Sequence, residues 1–269
     1  MADTVAVESF GRQVWMVVVS ELNQRWIRRF SPAPDAGVRL ACLAHAGGSA
    51  SYFLPVARAL APECEVLAVQ YPGRQDRRLE KPLVSVGELA DAVAEQLLAW
   101  ADRPLVIFGH SLGALVGFEV AGRLANKGCE PAALVVSGRR APSRVRVENV
   151  HTRTDDGILA ELDALGGTDP LALADPEMRQ LILDALRADY TAVETYRYTE
   201  RAPLRMPISA HIGSDDPRVT LDEAQDWSQH TTGRFELHTY PGGHFYLNDQ
   251  AATVIANLRR VLAAAQAGS

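Results

Sequence analysis

From Val38 to about Ala141, short unbroken apolar runs alternate with longer stretches of helical spacing. VRLACLAHAGG (38–48) predicts a buried strand running into a glycine loop, and SYFLPVARALA (51–61) a helix. EVLAVQYPGR (65–74) predicts a second strand ending in a turn. SVGELADAVAEQLLAW (85–100) is an amphipathic helix, with Ser85 and Glu88 at the spacing of a capping box. PLVIFGHS, LGALVGFEVAGRLANKG and AALVVSGRR then predict strand, helix and strand. Continuous apolar strands separated by crossover helices imply a mostly parallel sheet with helices on both faces.

The alternation breaks at residue 142 and resumes at 204. Between them the pattern is helical and polar, with clear helices in DDGILAELDALGG and PEMRQLILDALRADYTAVETYRY. MPISAHIGSDDP, a helix around 221–230, FELHTYPGGH and TVIANLRRVLAAA complete the strand–helix pattern. The expected organisation is an α/β core of residues 26–141 and 204–269, a helical insertion of residues 142–203, and an N-terminal extension of residues 1–25 without an assigned role. Val14–Leu22 suits a short strand or helix.

Composition narrows this picture only modestly. The 269 residues can bury roughly three-quarters of their unfolded surface, and 47% apolar with 22% charged residues is the balance of a globular protein. A net charge of -6 disfavours nucleic acid as a partner. Three cysteines without CxxC spacing point to neither disulfides nor zinc. The N-terminus has Asp3 and Glu8 where a signal peptide would be basic, and nothing reaches a membrane-spanning length, so a cytoplasmic monomer is expected.

The chemistry concentrates at Ser111, set between Gly109 and Gly113 at the joint of a predicted strand and helix. A turn sharp enough to present one hydroxyl at the top of a sheet leaves no room for a Cβ two residues to either side. The following helix aims its free N–H groups at any oxyanion formed beside the hydroxyl. Serine needs a base, and the base an orienting acid, in the chain order Ser, Asp, His. GSDDPRV and PGGHFYLND supply both after later strands. His244 is the expected base. His45 and His110 adjoin glycines on other elements, and His151, His211, His230 and His238 fall in helical, strand or surface contexts. Asp216 is preferred to its neighbour Asp215 as the acid. The oxyanion donors are expected to be the N–H groups of Leu112 and of Ala46 in the HAGG loop.

LAHAGGSASYFLPVARAL, VQYPGRQDR, FGHSLGAL, SGRRAPS, GSDDPRV and PGGHFYL, in that order, resemble the type II thioesterases that accompany polyketide and nonribosomal peptide synthetases. The likeness spans about Trp26 to Leu262. It implies an α/β-hydrolase fold and hydrolysis of acyl groups from the phosphopantetheine arm of acyl or peptidyl carrier proteins, removing aberrant chains. It implies no cofactor or metal of the enzyme's own. The insertion would then be a lid, with Ile158, Leu159, Leu162, Leu165, Leu181, Ile182 and Leu186 on its apolar faces and Tyr190, Tyr196 and Tyr198 lining a channel or bracing the helices. The arginines at 74, 77 and 78 and at 139, 140, 144 and 146 could form a basic rim that steers an acidic carrier. A carboxylesterase or acyltransferase on the same fold, or a non-catalytic hydrolase-fold binding module, are the competing readings.

Overall fold

A computed structural model describes residues 25–167 and 173–268. Residues 1–24 of the expected N-terminal extension, including Val14–Leu22, therefore lie outside the described residues.

Seven strands form one sheet: β1 (Ile27–Arg28), β2 (Arg39–Leu43), β3 (Glu65–Val69), β4 (Leu105–His110), β5 (Ala133–Ser137), β6 (Ile208–Gly213) and β7 (Phe235–Tyr240). The spatial order is β1-β3-β2-β4-β5-β6-β7. β1 alone runs antiparallel, pairing Ile27 with Val69; every other pairing is parallel. Two residues are too few to carry a hydrophobic period, so the pattern of the chain did not disclose this strand. Strands β2 to β6 are buried along their whole length, which is why they read as unbroken apolar runs.

The helices follow from right-handed crossovers. Helix α1 (Leu54–Leu60) joins β2 to β3, α2 (Val86–Leu98) joins β3 to β4, and α3 (Leu112–Asn126) joins β4 to β5. The chain direction along the sheet reverses after β3, so α1 lies on one face and α2 and α3 on the other. α2 packs on α3, and α1 on the last helix of the chain. Ser85 caps α2 by accepting from the N–H groups of Gly87 and Glu88.

Helices α4 (Asp155–Ala164) and α5 (Pro176–Thr195) lie between β5 and β6. They form a small cluster of their own around Val150, Ile158, Leu183, Leu186 and Tyr190, against which Ala46 of the HAGG loop also packs. α6 (Leu221–Gln225) continues as a 3-10 turn to His230. α7 (Tyr246–Asp249) and α8 (Ala251–Ala267) close the chain.

Register brings the carboxyl ends of the strands level. Leu43 pairs with Gly109, His110 with Ser137, Ser137 with His211, and Gly213 with Tyr240. The loops that follow β2, β4, β5, β6 and β7 consequently meet at one edge. In an open parallel sheet this is where ligands bind.

Candidate active site

Ser111 stands between β4 and α3 with φ 55° and ψ -112°, a strained conformation for a residue with a side chain. Its N–H donates to Ser137 O at 2.8 Å, and its carbonyl accepts from the Ala114 N–H at 3.1 Å. The flanking glycines are a steric necessity. A Cβ at Gly109 would lie 2.0 Å from Gly113 O, and one at Gly113 would lie 2.1 Å from Leu43 O. Strand, turn and helix are pressed together so closely that only hydrogen fits.

The loop after β7 carries His244 and the loop after β6 carries Asp216. His244 Nδ1 and Asp216 Oδ2 are 2.9 Å apart. The Asp216 side chain is fully buried and that of His244 is 3% exposed. Asp216 Oδ1 accepts from the Arg218 N–H at 2.8 Å, so one oxygen is fixed by its own turn and the other by the imidazole. Asp215 is exposed and accepts from the Ser214 hydroxyl instead. Of the two adjacent acids, the one that reaches the imidazole is Asp216.

Ser111, His244, Ala46 and His45 border one cavity, roofed by Leu162 and Leu165 at the end of α4, Tyr190 and Val193 of α5, and Phe245. Its free volume is about 30 Å³. Leu112 is the first residue of α3, where backbone N–H groups have no partner within the helix.

Two further histidines sit beside the pair. The His110 ring is 4.9 Å from that of His244, and His45 is 5.8 Å from His110 and 4.8 Å from Phe245. Burial, with repulsion from His244 second, pushes His45 down to about 3 and His110 well below its ordinary value. Both are therefore neutral near pH 7, which avoids adding positive charge beside His244. Ser137 Oγ lies 2.9 Å from His110 Nδ1 and 2.6 Å from the Tyr246 hydroxyl, tying β5 and α7 to this ring. The sequence offered one hint of their importance: each of these histidines adjoins a residue of the glycine turns.

The HAGG loop is held from the lid side. Asp189 of α5, fully buried, accepts from the Gly47 N–H at 2.7 Å and receives both terminal nitrogens of Arg74 at 2.7 and 2.9 Å. Arg74 also donates to Gly48 O at 3.1 Å. One ion pair thus joins the loop before Ser49, the YPGR turn and α5.

This arrangement overturns most of the expected basic rim. Arg74 is spent on Asp189, Arg77 is buried against Glu80, Arg140 against Glu148, Arg144 pairs with Asp226 and Arg146 with Glu223. Arg74, Arg144 and Arg146 are neutralised by carboxylates distant in sequence, which no local pattern discloses, whereas Glu80 and Glu148 lie near their arginines in the chain. Of the seven, Arg78, which is exposed, and Arg139 make no ion pair among the described residues. The tyrosines divide likewise. Tyr190 borders the cavity, whereas Tyr196 donates to Glu119 at 2.8 Å and Tyr198 packs edge-on to His230, so the latter two brace α5 on the core.

Among the described residues, no helix is long and apolar enough to cross a membrane.

Comparison with known proteins agrees with this geometry. A family profile for the thioesterase domain matches residues 38–262. The chain is 52% identical over 227 residues to "Thioesterase PikA5" of Streptomyces venezuelae, covering 84% of this chain and 81% of that protein. It is 45% identical over 261 residues to "Probable cadicidin biosynthesis thioesterase" of Streptomyces griseus, covering 97% and 72% respectively. The solved structure of the type II thioesterase BorB from the borrelidin biosynthetic cluster superposes with a TM-score of 0.83 at 49% identity, covering 88% of this chain and 97% of that one. The chain belongs to the thioesterase family, among the type II thioesterases of polyketide and nonribosomal peptide biosynthesis, on an α/β-hydrolase fold.

Proposed function

We propose that this protein is a serine hydrolase that removes aberrant acyl groups from the phosphopantetheine arm of acyl or peptidyl carrier proteins in the cytoplasm. The observation that carries the proposal is the buried His244–Asp216 pair bordering the same cavity as a serine in a strained strand-to-helix turn.

Ser111 Oγ attacks the thioester carbonyl while His244 Nε2 takes its proton. Asp216, bonded to Nδ1, fixes the tautomer that leaves Nε2 free to accept, and stabilises the imidazolium that forms. The tetrahedral oxyanion is held by the N–H groups of Leu112 and Ala46, with the positive end of α3 behind it. Collapse expels the pantetheine thiol, to which His244 returns the proton. Water then attacks the Ser111 ester by the same relay and releases the free acid. Neutral His45 and His110 support this scheme, because a cation beside His244 would oppose its protonation.

The small cavity favours short acyl chains; a longer one needs the α4–α5 wall to move. A hydrolysis assay with matched acyl groups on a carrier protein and on an oxygen ester tests the reading. Carrier-bound short chains should turn over at least ~100-fold faster. Equal or better turnover of the oxygen ester would favour a carboxylesterase.

A further inference from the structure

Asp216 holds His244 at one atom, Nδ1, and a single hydrogen bond leaves the imidazole free to swing about it. The proposed relay nevertheless needs Nε2 aimed at Ser111 Oγ, so other contacts must fix the plane of the ring. Phe245 meets it edge-on at 5.2 Å, and His110 lies 4.9 Å away, tilted by 40°. The chain leaving β5 fills the notch beside both imidazoles. A Cβ at Gly138, where φ is 60°, would lie 2.6 Å from His110 Cε1 and 3.2 Å from His244 Cε1, so only glycine lets the backbone pass there.

His110 is itself held in place. It ends β4 and is fully buried, and its Nδ1 lies 2.9 Å from Ser137 Oγ, which lies 2.6 Å from the Tyr246 hydroxyl. Tyr246, buried as well, stacks on Tyr240 at 4.8 Å. The brace is thus anchored on β4, β5 and α7. The proton count gives the chain its direction. If Tyr246 donates to Ser137 and Ser137 donates to His110 Nδ1, only the Nε2 proton lacks a partner, and Nε2 is the one buried polar side-chain atom of these three residues without one. The reverse direction would leave both the Tyr246 proton and the Nε2 lone pair unpaired. In the favoured tautomer neither nitrogen of His110 can take the proton leaving Ser111, because Nδ1 already receives one and Nε2 already carries one. The ring can therefore brace His244 without competing with it. His110 does not border the acyl cavity, so its effect on turnover passes through His244.

We propose that His110 is a positioning residue: its ring, locked by the Tyr246–Ser137 hydroxyl chain, holds the His244 imidazole in the plane that serves Ser111. The proposal rests on the thioesterase reading and concerns how that enzyme's base is aimed.

The test compares three variants. His110→Ala removes the ring, His110→Phe keeps a flat uncharged one, and Ser137→Ala cuts the hydroxyl chain while leaving both imidazoles present. Steady-state hydrolysis of an acyl-pantetheine thioester gives kcat and KM. Proton NMR follows the far-downfield signal of the proton between His244 Nδ1 and Asp216. His110→Ala should lower kcat about 30-fold or more with KM within about threefold, since a small misplacement of a catalytic group costs up to about 100-fold in rate. Its downfield signal should broaden and exchange faster with solvent. His110→Phe should restore about tenfold of the lost kcat, and Ser137→Ala should lose about fivefold or more with the same broadening. Three results would overturn the proposal. One is a His110→Ala kcat within about threefold of wild type. Another is His110→Phe no better than His110→Ala. The third is a fall in turnover while the downfield signal keeps its wild-type position and width, which would mark His110 as structural. If a His110 variant does not fold, Ser137→Ala decides, and unchanged kcat and signal in that variant refute the idea. Wild-type turnover of the same thioester reports on the thioesterase reading separately.

Discussion

Replacing Asp189 by Asn isolates the link between lid helix and HAGG loop. The carboxylate is fully buried and Arg74 is 6% exposed, so the substitution strands a guanidinium to which no other carboxylate is bonded among the described residues. Breaking one side of a buried pair costs roughly 3–5 kcal/mol. For a chain of this size each kcal/mol lowers Tm by roughly 2–4 °C, so melting should fall by roughly 6–20 °C. Asn keeps an oxygen for the Gly47 N–H, whereas Ala does not. Ala46, next to Gly47, is a proposed oxyanion donor, and a misplaced donor loop costs up to about 100-fold in rate. Asp189→Ala should therefore lose ~10- to 100-fold in kcat with a smaller change in KM, and Asp189→Asn should lose less. Thermal unfolding and steady-state hydrolysis read both effects. The double variant Arg74→Met/Asp189→Leu should be less damaged than the sum of its single changes, by about 2 kcal/mol. Melting of Asp189→Asn within about 2 °C of wild type, with kcat of Asp189→Ala unchanged, would refute the clamp.

Further outcomes follow from the same geometry. Asp216→Asn should lower kcat about 10⁴-fold by holding His244 in the wrong tautomer, while Asp215→Asn should stay within about threefold; steady-state kinetics at pH 7 compares them. Gly113→Ala drives a Cβ into the Leu43 and Ala44 carbonyls, backbone atoms that cannot swing aside, and should cost about 3 kcal/mol or more in denaturant unfolding. His45 and His211, both pushed down to about 3, stay neutral in the fold but take up protons once unfolded. Their contribution is complete above the unfolded pKa of about 6.5 and is lost as pH falls below it. Between pH 6.5 and 4.5 this amounts to about 5 kcal/mol for the pair, comparable with the whole stability of many domains. Urea midpoints should drop steeply across that window, and a flat profile would contradict the buried neutral state.

What the sequence disclosed and what it withheld have physical reasons. Ser111 was legible because the tight strand-to-helix turn that presents it demands glycine two residues to either side, a signature confined to five consecutive positions even though Gly113 meets Leu43 of another strand. His244 and Asp216 were legible because strand order places their loops at the same edge of a parallel sheet. Several of the arginines misled because their partners lie far along the chain: Arg74 meets Asp189, Arg144 meets Asp226 and Arg146 meets Glu223 only in the folded protein. His110 was set aside for lying on β4, yet its ring is 4.9 Å from His244 because the loop after β7 folds over the end of that strand. Contacts of that kind depend on loop packing, which hydrophobic periodicity does not encode.

The central claim is that the acyl group passes through an ester on Ser111. Rapid acid quenching of the enzyme with a radiolabelled acyl–carrier protein, followed by peptide mapping, tests it directly. Label should appear on the peptide containing Ser111 before free acid accumulates, and Ser111→Ala should carry none while losing about 10³-fold or more in turnover. Free acid released by a Ser111→Ala enzyme at the wild-type rate would contradict the account.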